Sequence, residues 1–360
     1  MKITIVGAGN AGTTIAADLS IKGHEVSLLK TSNSLHNDNF DYIMNNGNIV
    51  KIEINGEIQE SKIAKITKDF KVVLENSELI ILYVQTNYQE DVIKRMSPYL
   101  TNQVILIEPG YLATLYFLKY CNCEHLTFAE AESSPLDCRI VKPGSVKVLF
   151  KNARNPIGIY PKSREESALT LLSELGYNFI KTGNIVEAAL HNPNLIVHTI
   201  GAFMSIPRIE YTKGKNYWMY KEVFTPSVWN LVESLDAEKI EIMKSLGCKS
   251  LSYVEACKFR NSKDTEIDAK EVFLDYANNH SVSGPEVSDS RYITEDVPNG
   301  LVLMESLGKM LNVATPICTS FINLSSAALK RDFRKEGRSI DKLGKKELLS
   351  LIDNCECLHQ

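Results

Sequence analysis

The sequence predicts an α/β fold: a Rossmann-type, doubly wound parallel sheet followed by an all-α C-terminal domain. Three observations carry this. A short β-branched strand, KITIV, runs directly into Gly7-x-Gly9-x-x-Gly12 and an alanine-rich helix. Apolar strand patterns then alternate with helical stretches. From about residue 184 nearly everything reads as helix, broken by Pro and Gly clusters. The boundary is expected there, giving a dinucleotide-binding domain at 1–183 and a helical substrate domain at 184–360, within the two-domain length of a 360-residue chain.

The first element is a βαβ unit with its glycines at the strand-to-helix turn. Gly7 permits the tight turn, Gly9 lets the backbone approach a pyrophosphate, and Gly12 lets the helix pack on the strand. The helix N-terminus at Asn10, Ala11 and Gly12 offers N–H groups and the positive end of its dipole to phosphates. The competing reading is a glycine turn in an unliganded α/β domain; the flanking strand, helix and second strand favour the nucleotide cradle.

The second strand, EVSLL, ends at Lys30-Thr31-Ser32. NAD readers place a carboxylate here for the ribose hydroxyls. An ammonium and two hydroxyls suit a 2′-phosphate instead, so NADP(H) is preferred over NAD(H). The alternative has Lys30 in solvent and NAD bound without an acidic anchor. Asp38 and Asp41 lie beyond the strand end.

Further strands are expected at SELIILYV (77–84), QVILIEPG (103–110), HLTFAEAE (125–132) and SVKVLF (145–150), and an amphipathic helix near 164–176. Ligands lie beyond the carboxyl ends of such strands, which puts Val84, Gln85, Thr86, Glu108, Pro109 and Gly110 beside the cofactor.

HNPNLIVHTIGAF (191–203) reads as the start of the first helix of the second domain. Asn194 and His198 are four apart and share a face; His191 falls on roughly the same stripe. A core histidine bonded to a carbonyl is the plain reading of His198. SDSRYITEDVPNGLV (288–302) changes the balance, because Arg291 can hold a carboxylate bidentately and Asp296 can orient an imidazole and stabilise its cation. A hydride donor, a His–Asp pair and an Arg make a reductase site for a 2-oxo acid, in a cleft expected between the domains. The alternative for 288–302 is a solvated loop with a capped helix after Pro298.

Composition excludes several classes. Net charge is −4 and no basic stripe is visible, which argues against nucleic acid. No apolar run reaches membrane-spanning length. MKITIVGAG enters its Gly turn too early for a signal peptide, so a cytoplasmic location and reduced thiols are expected for the eight cysteines. The C-x-C pairs Cys121/Cys123 and Cys355/Cys357 lack zinc-like spacing and a following His pair, so no metal is expected. A homodimer is expected by analogy with other helical second domains, without a diagnostic heptad.

Several segments carry a family resemblance: ITIVGAGNAG; EAESSPLDCR, with Glu130, Pro135, Cys138 and Arg139; NPNLIVHT, with Asn192, Asn194 and His198; YKEVFTPSV; RYITEDVPNGLV; and DFRKEGRSIDKLG. Over almost its whole length the chain resembles the opine dehydrogenase family, relatives of octopine, nopaline and N-(carboxyethyl)norvaline dehydrogenases. Ala131, Leu136 and Thr199 depart from the family's Thr, Tyr and Pro, and Lys30 from the acidic residue of NAD-using relatives.

The resemblance implies a 6-phosphogluconate dehydrogenase-like helical domain and an enzyme that joins a 2-oxo acid to the amino group of an amino acid, then reduces the imine. It implies His198 as acid/base, Asp296 as its partner, Arg291 as carboxylate anchor, Asn194 as a positioning group, and Glu130, Tyr220 and Thr225 on the substrate side. Tyr211, Tyr217, Trp218 and Tyr220 fit either amino-substrate contact or, for most of them, helix packing. Two other readings compete. A ketopantoate-type reductase would need a catalytic lysine, and Lys213, Lys215 and Lys221 sit in poorer context than RYITEDVP. A non-catalytic NADP-sensing protein has no need of an acid/base pair.

Overall fold

The computed structural model describes residues 1–33 and 35–352. The chain divides into two compact units, residues 1–181 and 182–360.

Unit 1 is built on an eight-stranded sheet in the order β12-β11-β8-β7-β6-β1-β2-β5. Its strands are β1 (Lys2–Val6), β2 (Glu25–Leu29), β5 (Lys65–Thr67), β6 (Leu79–Leu82), β7 (Val104–Ile107), β8 (Thr127–Ala131), β11 (Asn155–Tyr160) and β12 (Phe179–Lys181). The central strands LIIL and VILI are apolar without alternation because both of their faces are covered. β5 through β8 in that order pair in parallel, while β11 runs antiparallel to β8.

A second sheet, β4-β3-β10-β9, was not anticipated. It joins two hairpins, β3 (Ile49–Ile54) with β4 (Glu57–Lys62) and β9 (Leu136–Lys142) with β10 (Ser145–Lys151), through parallel β3–β10 pairing. SVKVLF is therefore a strand, as expected, but of this small sheet and not of the nucleotide sheet. The first hairpin carries an Asn55-Gly56 turn with both residues at positive φ, a sequence signal passed over.

Helices of unit 1 are α1 (Asn10–Ile21), α2 (Asn37–Asn45), α3 (Phe70–Leu74), α4 (Thr86–Met96), α5 (Thr114–Tyr120) and α6 (Glu165–Ser173). α1 packs on β1 and β2 and also on β3, β4, β9 and β10. Every residue from Gly12 to Leu19 is buried. That position between two sheets is why α1 is rich in small residues: Ala16 and Ala17 share a core with Val50, Ile52, Leu136 and Val146. Enlarging either alanine would overpack the layer, at a cost of about 1–3 kcal/mol.

Unit 2 is helical throughout its described residues. α7 (Ile185–Leu190) starts at Asn184, whose side chain accepts from the Glu187 N–H at 2.8 Å. α8 (Asn194–Met204) follows. His191, Asn192 and Pro193 form the break between them, so His191 does not lie on the stripe of α8 expected for it. Pro193 has no N–H to donate and pushes the preceding residue out of helical geometry, so a new helix starts there. α8 packs on the long helix Pro226–Ser245 and on the short helix Arg291–Thr294. A π-helical turn, Val297–Leu301, leads into helix Val302–Leu311. Among the described residues no helix is long and apolar enough to cross a membrane.

Candidate active site

The three fingerprint glycines differ in what they make room for. A Cβ on Gly7 would come 2.5 Å from the Tyr83 carbonyl oxygen, and one on Gly12 would collide with the Gly7 carbonyl. Both are glycine because protein backbone lies against them. A Cβ on Gly9 would meet nothing nearer than the His36 ring at 3.7 Å. Gly9 thus leaves space that no protein atom needs, beside an α1 N-terminus with no side-chain cap. That is a cradle which fits a dinucleotide pyrophosphate. Asn10 also braces the cradle, its Oδ1 accepting from the Ile140 N–H of β9 at 2.8 Å.

At the end of β2, Lys30 is 4% exposed and donates to the Leu35 carbonyl at 2.6 Å. Burial first, then Lys68, lowers its pKa from the ordinary lysine value. Two cations missed by the sequence reading converge on the same loop: Arg95 donates to the Thr31 carbonyl at 2.8 Å, and Lys68 to Asn33 Oδ1 at 2.9 Å. Lys68 follows β5 and Arg95 ends α4. No sequence spacing links either to β2; the strand order does. Ser32 is exposed on this loop.

The loops after β6 and β7 are tied together. Buried Gln89 donates to the Val84 carbonyl at 3.1 Å and the Pro109 carbonyl at 3.2 Å, and Gln85 caps α4. Beneath them the Tyr83 hydroxyl donates to Glu108 Oε2. Burial pushes the Glu108 carboxyl up to about 8.

In unit 2, His198 of α8 meets Asp296, its Nδ1 lying 2.9 Å from Oδ2, with side chains 8% and 5% exposed. A protonated Nδ1 donates to the carboxylate, which leaves Nε2 for exchange with a substrate. The Tyr292 ring lies parallel to the imidazole, centroids 3.7 Å apart at an interplanar angle of 8°. Arg291 opens the same short helix; it is exposed, with Nε 3.5 Å from Glu295 Oε2. Asn194 stands one turn before His198 on α8, half-buried, its N–H donating to Asn192 Oδ1 at 3.0 Å. Thr199 donates its hydroxyl to the Leu195 carbonyl at 2.7 Å, and α8 runs on unbroken.

The π-turn after Asp296 has a local cause. Pro298 supplies no N–H, so the regular ladder fails there. Asn299 secures the turn through its side chain, which donates to the Glu295 carbonyl at 2.8 Å. Gly337 packs so closely that a Cβ would collide with the Pro298 carbonyl. The closing Gly-Arg motif is thus part of the frame that holds Asp296.

Residues 181–329 match the family model described as NAD/NADP octopine/nopaline dehydrogenase, alpha-helical domain. Residues 2–109 match the NAD-dependent glycerol-3-phosphate dehydrogenase N-terminus. An opine dehydrogenase of Arthrobacter sp. (strain 1C) is 27% identical over 94% of this chain and 94% of its own. The chain is similar to opine dehydrogenases along almost its whole length. It is an NAD(P)-dependent oxidoreductase.

Vitopine synthase of Allorhizobium ampelinum is 26% identical, covering 94% of each chain. The fold of this chain matches octopine dehydrogenase solved with NADH and L-arginine at a TM-score of 0.74, with 17% identity over 98% of this chain and 96% of that one. A further structure of octopine dehydrogenase holds NADH and pyruvate. Yersinopine dehydrogenase with NADP+ matches at 0.71, with 13% identity over 98% of each chain.

Glu130, Tyr220 and Thr225, expected on the substrate side, lie in different surroundings. Glu130 is 0% exposed on β8, and its carboxylate accepts the Leu112 N–H at 3.0 Å and the Thr114 N–H at 2.7 Å. It shapes the start of α5. Tyr220 lies half-buried in an aromatic cluster with Phe224, Phe273 and Tyr276, and Thr225 is exposed at the start of helix Pro226–Ser245. Tyr217 is buried, whereas Tyr211 is 90% exposed. Among the described residues no group of three or more His, Cys, Asp or Glu side chains could hold a metal. Cys121 and Cys123 are half-buried and unbridged; Cys355 and Cys357 lie outside the described residues.

Proposed function

We propose that this protein is an opine dehydrogenase that condenses a pyruvate-like 2-oxo acid with the amino group of an amino acid and reduces the product, with His198 as acid/base. The reading rests on the buried His198–Asp296 hydrogen bond of 2.9 Å. In balance, 2-oxo acid, amino acid, NAD(P)H and one proton give the N-(carboxyalkyl)amino acid, NAD(P)+ and water. The amine adds to C2 of the oxo acid, and the carbinolamine then loses water. Protonated His198 gives its Nε2 proton to the departing hydroxyl, and Asp296 stabilises the imidazolium beforehand. The bound nicotinamide supplies the hydride that reduces the imine. Arg291, exposed on the helix beside Tyr292, anchors the oxo-acid carboxylate; Asn194 positions the reacting groups, and Tyr220 and Thr225 border the amino substrate.

NADP(H) is the preferred cofactor in this reading. Lys30, Lys68 and Arg95 put three cations around the Thr31–Asn33 loop, and no carboxylate occupies the strand end. The octopine and vitopine enzymes suggest an amino acid partner, and the octopine dehydrogenase complexes suggest pyruvate and a basic amino acid as first probes.

The test is a screen of NADPH and NADH oxidation with pyruvate, glyoxylate, 2-oxobutyrate or 2-oxoglutarate, each paired with single amino acids. Oxidation that needs both oxo acid and amine supports the reading, and His198→Ala must then lose most turnover while still binding cofactor. Oxidation by an oxo acid alone would replace the reading with that of a simple 2-oxo acid reductase.

A further inference from the structure

The stacking of Tyr292 on His198 has a geometry that distinguishes the charge state of the imidazole. Carbon atoms in contact sit about 3.5–4.0 Å apart. A centroid separation of 3.7 Å at 8° therefore leaves little lateral offset, and the rings lie almost directly over one another. Two neutral aromatic rings avoid that arrangement and prefer an offset or an edge contact, because their negative faces repel. A cation over a phenol face is attracted by the same quadrupole. A phenol face in this position therefore attracts an imidazolium more than a neutral imidazole.

We propose that Tyr292 is a positioning residue that favours the protonated form of His198 from its ring face while Asp296 favours it from Nδ1. The division of labour is geometric. Asp296 takes the in-plane nitrogen, Tyr292 covers one face, and the remaining in-plane nitrogen keeps its path to substrate. Both partners come from one stretch, the helix Arg291–Thr294 and the residue that starts the π-turn, so the imidazole is gripped from two directions by a single element. The charged and titratable groups around it are Asp296 on Nδ1, Tyr292 on the face, Arg291 at the start of that helix and Glu295 just past its end. Tyr217, hydrogen-bonded to Ser205 of the segment that follows α8, is a further titratable group near Tyr292.

This inference builds on the acid/base role proposed for His198, but its test does not require turnover. The histidine signals of the full-length protein are followed by NMR through a pH titration, with His198→Asn used to assign the His198 resonance. Tyr292→Phe keeps the aromatic face and is expected to leave the His198 midpoint within a few tenths of a pH unit. Tyr292→Leu removes the face and is expected to lower the midpoint by roughly one unit. Tyr292→Met is the substitute if the Leu variant does not fold. In the reductive reaction the alkaline fall of kcat would move down by the same amount in the Leu variant and be restored in the Phe variant, with KM for the oxo acid little changed. An unshifted midpoint in a folded Leu or Met variant overturns the proposal. A shifted midpoint in a protein that turns over no oxo acid and amine pair overturns the function proposed above and leaves the Tyr292–His198 coupling standing.

Discussion

The Arg338 backbone N–H donates to the Pro298 carbonyl at 2.9 Å, across the turn that carries Asp296. In a π-turn the carbonyls are out of register with the usual helical donors, and a buried carbonyl without a partner is costly. Arg338 supplies the missing donor. Gly337 lets the two backbones approach, because a Cβ there would also come 2.7 Å from the Phe333 carbonyl and 2.9 Å from Val302. Gly337→Ala should therefore displace the turn and with it Asp296. The expected result is a loss of about 1–3 kcal/mol in urea unfolding together with a large drop in kcat. A variant as active as the parent would show that the closing motif does not frame the site.

Asp296→Asn keeps the shape of the side chain and removes its charge. In the proposed mechanism kcat should fall by about 10²–10⁴, with Kd for cofactor unchanged. His198 and Asp296 act as one unit, so His198→Ala combined with Asp296→Asn should cost little more than His198→Ala alone. Steady-state kinetics on the three variants checks this; additive losses would mean that the two residues work separately.

Lys68 and Arg95 reach the loop at the end of β2 from different elements. If they hold a 2′-phosphate, Lys68→Ala and Arg95→Ala should each raise KM for NADPH by about tenfold, the worth of roughly 1.4 kcal/mol, and leave KM for NADH unchanged. Equal effects on both cofactors would remove the NADP argument.

Glu108 is predicted to set a pH dependence of stability. Burial raises its folded pKa to about 8 from the ordinary carboxyl value of 4.5. Below the unfolded value the carboxyl is neutral in both states and its contribution is fully present. As pH rises from there, the unfolded chain ionises while the folded one does not, and stability falls until the folded pKa is passed. The slope approaches one proton, about 1.4 kcal/mol per pH unit. Urea unfolding from pH 5 to 8 should show this fall, and Glu108→Gln should flatten it; an equal slope in both proteins would assign the dependence to other groups.

Much of this was legible in the sequence because it is local. KITIVGAG followed by a small-residue helix writes out strand, turn and helix in consecutive residues, although what Gly7 makes room for, the Tyr83 carbonyl, lies far along the chain. RYITEDVP keeps Arg291, Tyr292 and Asp296 within six residues, so the stretch could be singled out before the partner of Asp296 was known. The second sheet was less legible. Its β3–β10 pairing joins residues nearly a hundred apart, and such register depends on which apolar faces the fold buries together.

The sequence by itself determined the nucleotide fingerprint, the change from strand to helix patterns, and the residue types that suit imine chemistry. Only the tertiary structure decided that Glu130 is buried under the backbone of residues 112–114 and that Lys68 and Arg95 join Lys30. Only the tertiary structure set Tyr292 on the face of His198 and brought Gly337 and Arg338 against the turn behind Asp296. The physical reason is the same in each case. Propensity and periodicity act over a few residues, whereas burial and hydrogen-bond partners depend on which elements pack together, and that is settled by the whole chain collapsing around its core.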